Sequence, residues 1–220
     1  MNKILIASFD IGKRNFAFCV EEIDLDYYKT IKNMPKIERY YKDGSPTPQF
    51  NKILKDVCIE GKILLIDNVD LTGGCDGSEY LDPKIFINMT RLLDSYKSYW
   101  DRCTSFVIEQ QMGFGKKRNY MALKLGQHCF SYFSIQYANF KQVIEFPSYH
   151  KTKVLGAGKL TKYERKKWAV QKAMDILTDR DDTETMDLIC SRKKRDDAAD
   201  VISQLQAYKY LMFVDKNDAN

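Results

Sequence analysis

An α/β fold, a mixed β-sheet with helices packed on it, is the architecture that this sequence predicts, and three observations lead there. The chain opens with sequential strand-like segments rich in β-branched and aromatic residues. Further on, strand and helix patterns alternate. Within that alternation Ser105–Ile108 is a short apolar run of the kind buried in the middle of a sheet.

In chain order, Ile4–Phe9 reads as a strand that ends in the tight turn Asp10-Ile11-Gly12, and Asn15–Glu22 as a returning strand. Ile37–Lys42 forms a third strand on this reading, and Asp43–Pro48 is a loop by its turn chemistry. Ile63–Val69 fits a strand or an extended connection, and Thr72–Gly77, with three glycines, is loop. Asp82-Pro83 starts a helix that runs to about Trp100, with apolar residues at Ile85, Met89, Leu92, Leu93 and Tyr96. After the Ser105–Ile108 strand come a helix over about Asn119–Ala138, a strand at Val143–Phe146, and helices at Thr161–Leu177 and Arg195–Met212. The 220 residues suit a single domain, 1–220, enlarged around 43–80.

Composition narrows the class. Hydrophobic residues make up 44%, too many for a disordered chain. The formal charge of +5, from 35 Lys and Arg against 30 Asp and Glu, permits a nucleic-acid partner without establishing one. Six scattered cysteines without a C-x-x-C pair read as small buried hydrophobes in a reducing compartment rather than a zinc site. The amino terminus lacks the pattern of a signal peptide, and no segment approaches the roughly 20 apolar residues of a membrane helix. The expectation is a soluble intracellular protein with no membrane partner.

Carboxylates beside apolar elements carry the chemistry, because burying an unpaired carboxylate is costly. Asp10 ends the first strand, and Glu109 ends the apolar central one. Asp197 and Asp200 stand three apart on the last helix, on one face. Strand ends and a helix face can converge on one point, and hydrolysis of a phosphodiester by two divalent ions about 4 Å apart uses such an oxygen-rich set. Mg²⁺, for which Mn²⁺ substitutes, fits those ligands, with two ions per site. The bland alternative is a turn former and three surface charges.

At these residues the sequence resembles the RuvC-like Holliday-junction resolvases. ILIASFDIGKRNFAFCV (4–20) is similar to that family's I-x-x-x-D-x-G-x-R stretch, and VIEQQ (107–111) to the E-Q at the end of its fourth strand. ALKLGQ (122–127) looks like its interface-helix sequence, and DAAD (197–200) like its final helix. Asp10–Asn15, Arg165–Lys167 and the basic run before Asp196-Asp197 resemble the poxvirus, iridovirus and mitochondrial branch. The resemblance implies an RNase H-like mixed five-stranded sheet flanked by helices. It also implies metal-dependent cutting of four-way and branched DNA in paired fashion, in the host cytoplasm if the source is a large DNA virus. Asp10, Glu109, Asp197 and Asp200 would be the metal ligands and, with Lys167, the catalytic set; Lys151 matches a second basic position. The loop after Glu109 departs from the bacterial pattern, with Met112 where an aromatic is expected and Phe114 the nearest one.

Basic segments flank all four carboxylates. Gly113–Arg118 offers Lys116, Lys117 and Arg118 for phosphates and Phe114 as a wedge between bases, while Arg14, Lys151, Lys162 and Lys166 complete the expected DNA contacts. The helix after Glu109 is apolar on two sides, with Met121, Leu125, Cys129 and Tyr132 along one and Leu123, Phe130, Phe133 and Tyr137 along the other. Its own sheet covers one side, and a second copy in a symmetric homodimer would cover the other, with Gly126 allowing close approach. A further part of the same chain is the competing cover. Two other functions use similar signals. A nuclease for RNA–DNA hybrids or DNA ends shares the acidic quartet, and an actin-like ATP-binding protein shares the strand-Asp-x-Gly turn but needs a second such loop, which the sequence lacks. A non-catalytic DNA-binding relative is disfavoured by the intact carboxylate set.

Overall fold

The computed structural model describes residues 2–74, 82–111, 119–192 and 194–215. Among them a five-stranded sheet is built from β1 (Lys3–Asp10), β2 (Phe16–Asp24), β3 (Lys62–Val69), β4 (Cys103–Gln110) and β5 (Gln142–Pro147), in the order β3-β2-β1-β4-β5. The β3, β2 and β1 strands run antiparallel to one another, whereas β1, β4 and β5 are parallel. This is the mixed, helix-flanked sheet expected. The helices are α1 (Leu25–Tyr28), α2 (Pro48–Ile59), α3 (Pro83–Ser95), α4 (Lys97–Trp100), α5 (Tyr120–Tyr137), α6 (Tyr149–Val154), α7 (Lys162–Asp179), α8 (Thr183–Ser191) and α9 (Arg195–Lys209). A π-helical turn, Tyr210–Asp215, prolongs α9.

Strand parity divides the core in two. Leu5, Ala7 and Phe9 of β1, Phe16, Phe18 and Val20 of β2, and Phe106 and Ile108 of β4 meet α3, α4 and α5 in an aromatic core. There Phe133 stacks on Phe106 with ring centroids 4.2 Å apart, and Phe9 lies 5.5 Å from Trp100. The alternate residues, among them Ile6, Ala17, Cys19 and Val107, face α2, α7 and α9. These are mostly smaller, so α9 settles close to the sheet and is buried along nearly its whole length. Each large apolar side chain so covered contributes about 1.5–3 kcal/mol.

Two expectations about elements need correction. Ile37–Lys42 is not a strand: Lys36–Glu38 forms a 3₁₀ turn, and Tyr40 makes a lone bridge to Pro46. Ile37 is 90% exposed, so the segment has no second apolar position to place against a sheet. The sheet's edge is β3 instead, so the Ile63–Val69 segment is a strand. Part of the enlarged stretch is therefore integral, since β3 completes the sheet and α2 inserts Phe50, Leu54 and Val57 into the α9-side core. The α2 start was legible in Thr47-Pro48, whose Thr47 hydroxyl caps the helix by accepting from Phe50 N.

The second correction concerns α5. Its inward stripe is Ala122, Leu125, Gly126, Cys129, Phe133 and Tyr137. Its flank is taken up by α3, through the Thr90 Oγ1 to His128 Nε2 bond at 2.8 Å and the Tyr132 hydroxyl bonded to Asp94 Oδ1 at 2.7 Å. The same chain thus covers much of what read as a second apolar side. Gly126 also points inward, a Cβ there lying 3.4 Å from Gln111 Cγ and 4.0 Å from Ile11 Cγ1, so its small size serves the chain's own packing.

Cys19, Cys58, Cys103 and Cys129 are buried free thiols, while Cys190 is exposed. Cys75 lies outside the described residues. No helix among the described residues is long and apolar enough to cross a membrane.

Candidate functional site

The same parity that builds the two cores assembles the site. Asp10 continues the Ile6, Ser8 face of β1, and Glu109 continues the Ser105, Val107 face of β4, so both carboxylates emerge on the α9 side. The parallel register sets Phe9 against Ile108, which leaves Asp10 and Glu109 side by side at the strand ends. Gln204 then fixes α9 above them. Its buried Nε2 donates to Val107 O at 3.0 Å, Ser8 Oγ at 3.0 Å and Phe9 O at 3.3 Å. Asp200 stands one helical turn before Gln204, and Asp10 and Glu109 stand two residues beyond Ser8 and Val107. A turn of about 5.4 Å and two strand residues of about 6.6 Å climb to nearly the same height.

Lys151 of α6 enters this group from the β5 side. Its Nζ donates to Glu109 Oε1 at 2.9 Å and pairs with Asp200 Oδ1 at 3.1 Å. Burial opposes the charge on this lysine, but Asp200, Glu109 and Asp10 together raise its pKa above the usual lysine value. Asp10 retains some accessible surface, yet protein atoms crowd its carboxyl, and that burial with the adjacent Glu109 raises its pKa well above the ordinary aspartate value. Burial also pushes Glu109 up, but Lys151 and the hydrogen bonds with Asp10 and Gln111 together outweigh it, and the net direction is down. A hydrogen bond between the Asp10 and Glu109 carboxyl groups contributes to both shifts, raising Asp10 and lowering Glu109. Burial raises Asp200 despite Lys151.

Asp197 lies one turn nearer the helix start, toward β3. Asn68 Nδ2 donates to its Oδ2 at 3.2 Å, and burial raises its pKa. Its neighbour Asp196 pairs with Lys166. Among the described residues no three His, Cys, Asp or Glu side chains close around a common point as a finished ion cage. The donor set nevertheless suits a hard divalent cation: oxygen ligands only, on two strand ends and a helix, and a crowded Asp10 whose ionised form burial and Glu109 disfavour, with Lys151 opposing them. The residues fit such an ion.

The expected basic residues divide. Lys166 and Lys162 line a cleft of about 610 Å³ between α6 and α7 that opens on Glu109, Lys151 and Asp200. Lys167, expected to assist catalysis, instead turns outward, its Nζ 4.5 Å from the centre of the Tyr163 ring, one helical turn back on α7. The adjacent Lys166 takes the inward place, because α7 residues one apart point about 100° from each other. Arg14 is exposed in the β1–β2 turn. Met112, Phe114, Lys116, Lys117 and Arg118 lie outside the described residues.

Sequence reasoning missed Asn68, Asp196, Gln204 and Gln111, whose Nε2 bonds to Glu109 Oε2 at 3.1 Å. Gln204 carried a signal in its four-residue spacing from Asp200. Asn68 carried one in its two-residue spacing from Ile66, readable once that segment is known to be a strand.

The chain is 36% identical to uncharacterized protein 170L of Invertebrate iridescent virus 6, over 97% of this chain and 92% of that protein. It is 30% identical to uncharacterized protein 97L of Invertebrate iridescent virus 3, over 93% and 99%. No family model matches the sequence. Among solved structures, the fowlpox virus Holliday junction resolvase aligns with a TM-score of 0.53 at 14% identity, covering 95% of this chain and 100% of that one. The yeast mitochondrial Holliday junction resolvase Ydc2 aligns with a TM-score of 0.53 at 14% identity, over 96% and 85%. Thermus thermophilus RuvC does so at 0.51 and 12%, over 94% and 96%.

Proposed function

Because this chain belongs to the family of the iridescent virus proteins 170L and 97L and shares the fold of the RuvC-like resolvases, we propose that it is a structure-selective endonuclease. It resolves four-way (Holliday) and branched DNA junctions by metal-dependent hydrolysis of phosphodiesters. The observation that carries this reading is the placement of Asp10, Glu109 and Asp200 on one side of the sheet, bridged by Lys151 and flanked by a basic cleft. A fowlpox resolvase of the same fold has been solved with Holliday junction DNA, which favours branched DNA as the substrate.

Asp10, Glu109, Asp197 and Asp200 would hold two Mg²⁺ or Mn²⁺ ions. Bound there, such ions supply an activated water and stabilise the leaving oxygen. A bound cation would favour the ionised form of Asp10, which burial and Glu109 disfavour in its absence. Lys151 keeps its charge at neutral pH and orients the Glu109 and Asp200 carboxylates. With its amine between Glu109 and Asp200, Lys151 would also stand within reach of a phosphate held at the cluster. Lys166 and Lys162 position the backbone, together with Arg14 and the Lys116, Lys117 and Arg118 run.

The active species is a symmetric homodimer, because a four-way junction needs matched cuts in two strands and the described residues of one chain offer one carboxylate cluster. The face that remains for it is the outer stripe of α5, where Tyr120, Lys124, Gln127 and Ile135 are exposed beside half-buried Leu123 and Phe130. If the chain is that of a large DNA virus, as both relatives belong to iridescent viruses, its place of action is the host cytoplasm.

The test is cleavage of a synthetic four-way junction, a linear duplex and an RNA–DNA hybrid, each with and without Mg²⁺. Paired nicks in the junction, dependent on the ion and lost in Glu109→Gln with junction binding retained, are the expected result. Preferential cutting of the hybrid would transfer the site to an RNase H-type activity, and ion-independent cutting would remove the metal from the mechanism.

A further inference from the structure

The cleft between α6 and α7 has a construction that phosphate binding alone does not require. One end opens on Glu109 and Asp200. Its walls include Pro147, the exposed ring of Tyr149 and the half-buried indole of Trp168. Lys162, Arg165 and Lys166 are exposed along it. Cations suffice to hold a phosphate, whereas rings are the chemistry that holds the face of a base. In the floor lies Ser203, fully buried, whose Oγ has no hydrogen-bond partner among the described residues. A buried hydroxyl without a partner is costly and calls for a polar atom to meet it. The volume of about 610 Å³ falls in the range of small-molecule sites.

Resting on the nuclease reading above, we propose that this cleft receives one unstacked nucleotide of the cleaved strand, adjacent to the phosphate at the carboxylate cluster. Its base lies against Trp168 and Tyr149 with an edge toward Ser203, and its flanking phosphates meet Lys162, Arg165 and Lys166. Extruding a base from a duplex costs a few kcal/mol, and least where pairing is already broken. The pocket therefore favours a branch point, where a nucleotide is unpaired at small cost, over a continuous duplex. Selection of the cut position follows from which nucleotide can enter.

The experiment has two readouts on the full chain. The first is quenching of 2-aminopurine in a short single strand, without divalent ions, as the base stacks on an indole. Wild type quenches it, Trp168→Ala does not, and Tyr149→Ala, at an exposed ring, quenches less. The second is cleavage of four-way junctions carrying an abasic site at each position around the cut. Wild type should slow about fivefold to a hundredfold at one such position, the range that one stacked base carries. Trp168→Ala should be slow on intact junctions and insensitive at that position, while Trp168→Phe restores most of both. Ser203→Ala, which removes an unpartnered hydroxyl and so folds at least as well, should lose preference among bases but not sensitivity to the abasic site.

Abasic and Trp168→Ala losses that multiply, or no sensitive position in wild type, would overturn the proposal. Should wild type cut no junction at all, the nuclease reading falls by itself and quenching still decides the cleft: lost in Trp168→Ala it upholds base binding, and absent in wild type it sinks it.

Discussion

At the scale of single residues, Asp10 and Lys151 hold opposing electrostatic positions. Asp10 binds a proton more tightly in the folded chain than in the unfolded one, since burial and Glu109 raise its pKa. Stability from that proton is fully present below the unfolded value near 3.8 and is lost as pH rises through the folded value. The metal-free protein is thus penalised at neutral pH. Asp10→Asn should raise its melting temperature there, by about 2–4 °C for each kcal/mol relieved, and the gain should shrink as pH falls. Mg²⁺ should raise the wild-type melting temperature more than that of the variant. Equal ion effects on both, read by calorimetry, would remove Asp10 from the binding set. The α7 lysines permit a second check. Lys166→Ala should lower junction affinity or turnover, and Lys167→Ala should leave both near wild type. The reverse outcome would return Lys167 to the catalytic set.

At the scale of elements, the far end of α9 is held by charge rather than by apolar packing alone. Glu21 of β2 is fully buried, with Arg180 Nη2 and Lys209 Nζ each 2.7 Å from its Oε1 and Gln206 donating to Oε2 at 3.0 Å. Burial pushes Glu21 up, but the two cations outweigh it and hold its pKa below the usual value. Burial brings Lys209 down to about 8, which still leaves it mostly charged at neutral pH. Gly61, at φ +135°, fits against this group because a Cβ there would fall 1.9 Å from Glu21 Oε1. Glu21→Gln strands two buried cations, so it should cost about 3–5 kcal/mol in urea unfolding. Lys3→Ala, which removes the surface partner of Glu22, should change little. Similar losses for both would show that the buried cluster is not what anchors α9.

Much of the site was legible because it follows simple periods. Asp10 and Glu109 stand where apolar strands end, and Asp197 and Asp200 share a helix face. What escaped depended on tertiary placement. α6 is one turn and a half long with no side-chain cap, so Lys151 was singled out by the family resemblance and not by any local pattern that would set it among the carboxylates. The edge strand β3 pairs on only one side, leaving its inner positions half-buried and its pattern weak. Phe133 and Tyr137 read as belonging to an outer side of α5 because an 18-residue helix between a sheet and α3 is apolar over a wide arc.

At the scale of the whole molecule, paired cutting turns on a second copy. The exposed α5 stripe gives the means to ask it without disturbing the core, since Ile135 is 80% exposed. Ile135→Arg combined with Lys124→Glu should halve the sedimenting mass and convert paired resolution into single nicks. A wild-type chain that sediments as a monomer both free and on a junction would refute the assembly.

The position of α9 in the chain has a further consequence, for synthesis. Gln204 reaches Ser8 across 196 residues of sequence, and α9 follows in the chain every strand on which it lies. A ribosome adding about 5–20 residues per second spends roughly 10–40 s between those two partners. During that time β1 and β4 can pair, yet their α9-side face stays uncovered, and Asp10 and Glu109 stand without Asp197 and Asp200. Docking of α9 covers that face and brings Asp197 and Asp200 toward Asp10 and Glu109. A nascent chain therefore lacks the four-carboxylate set until α9 has docked on the sheet.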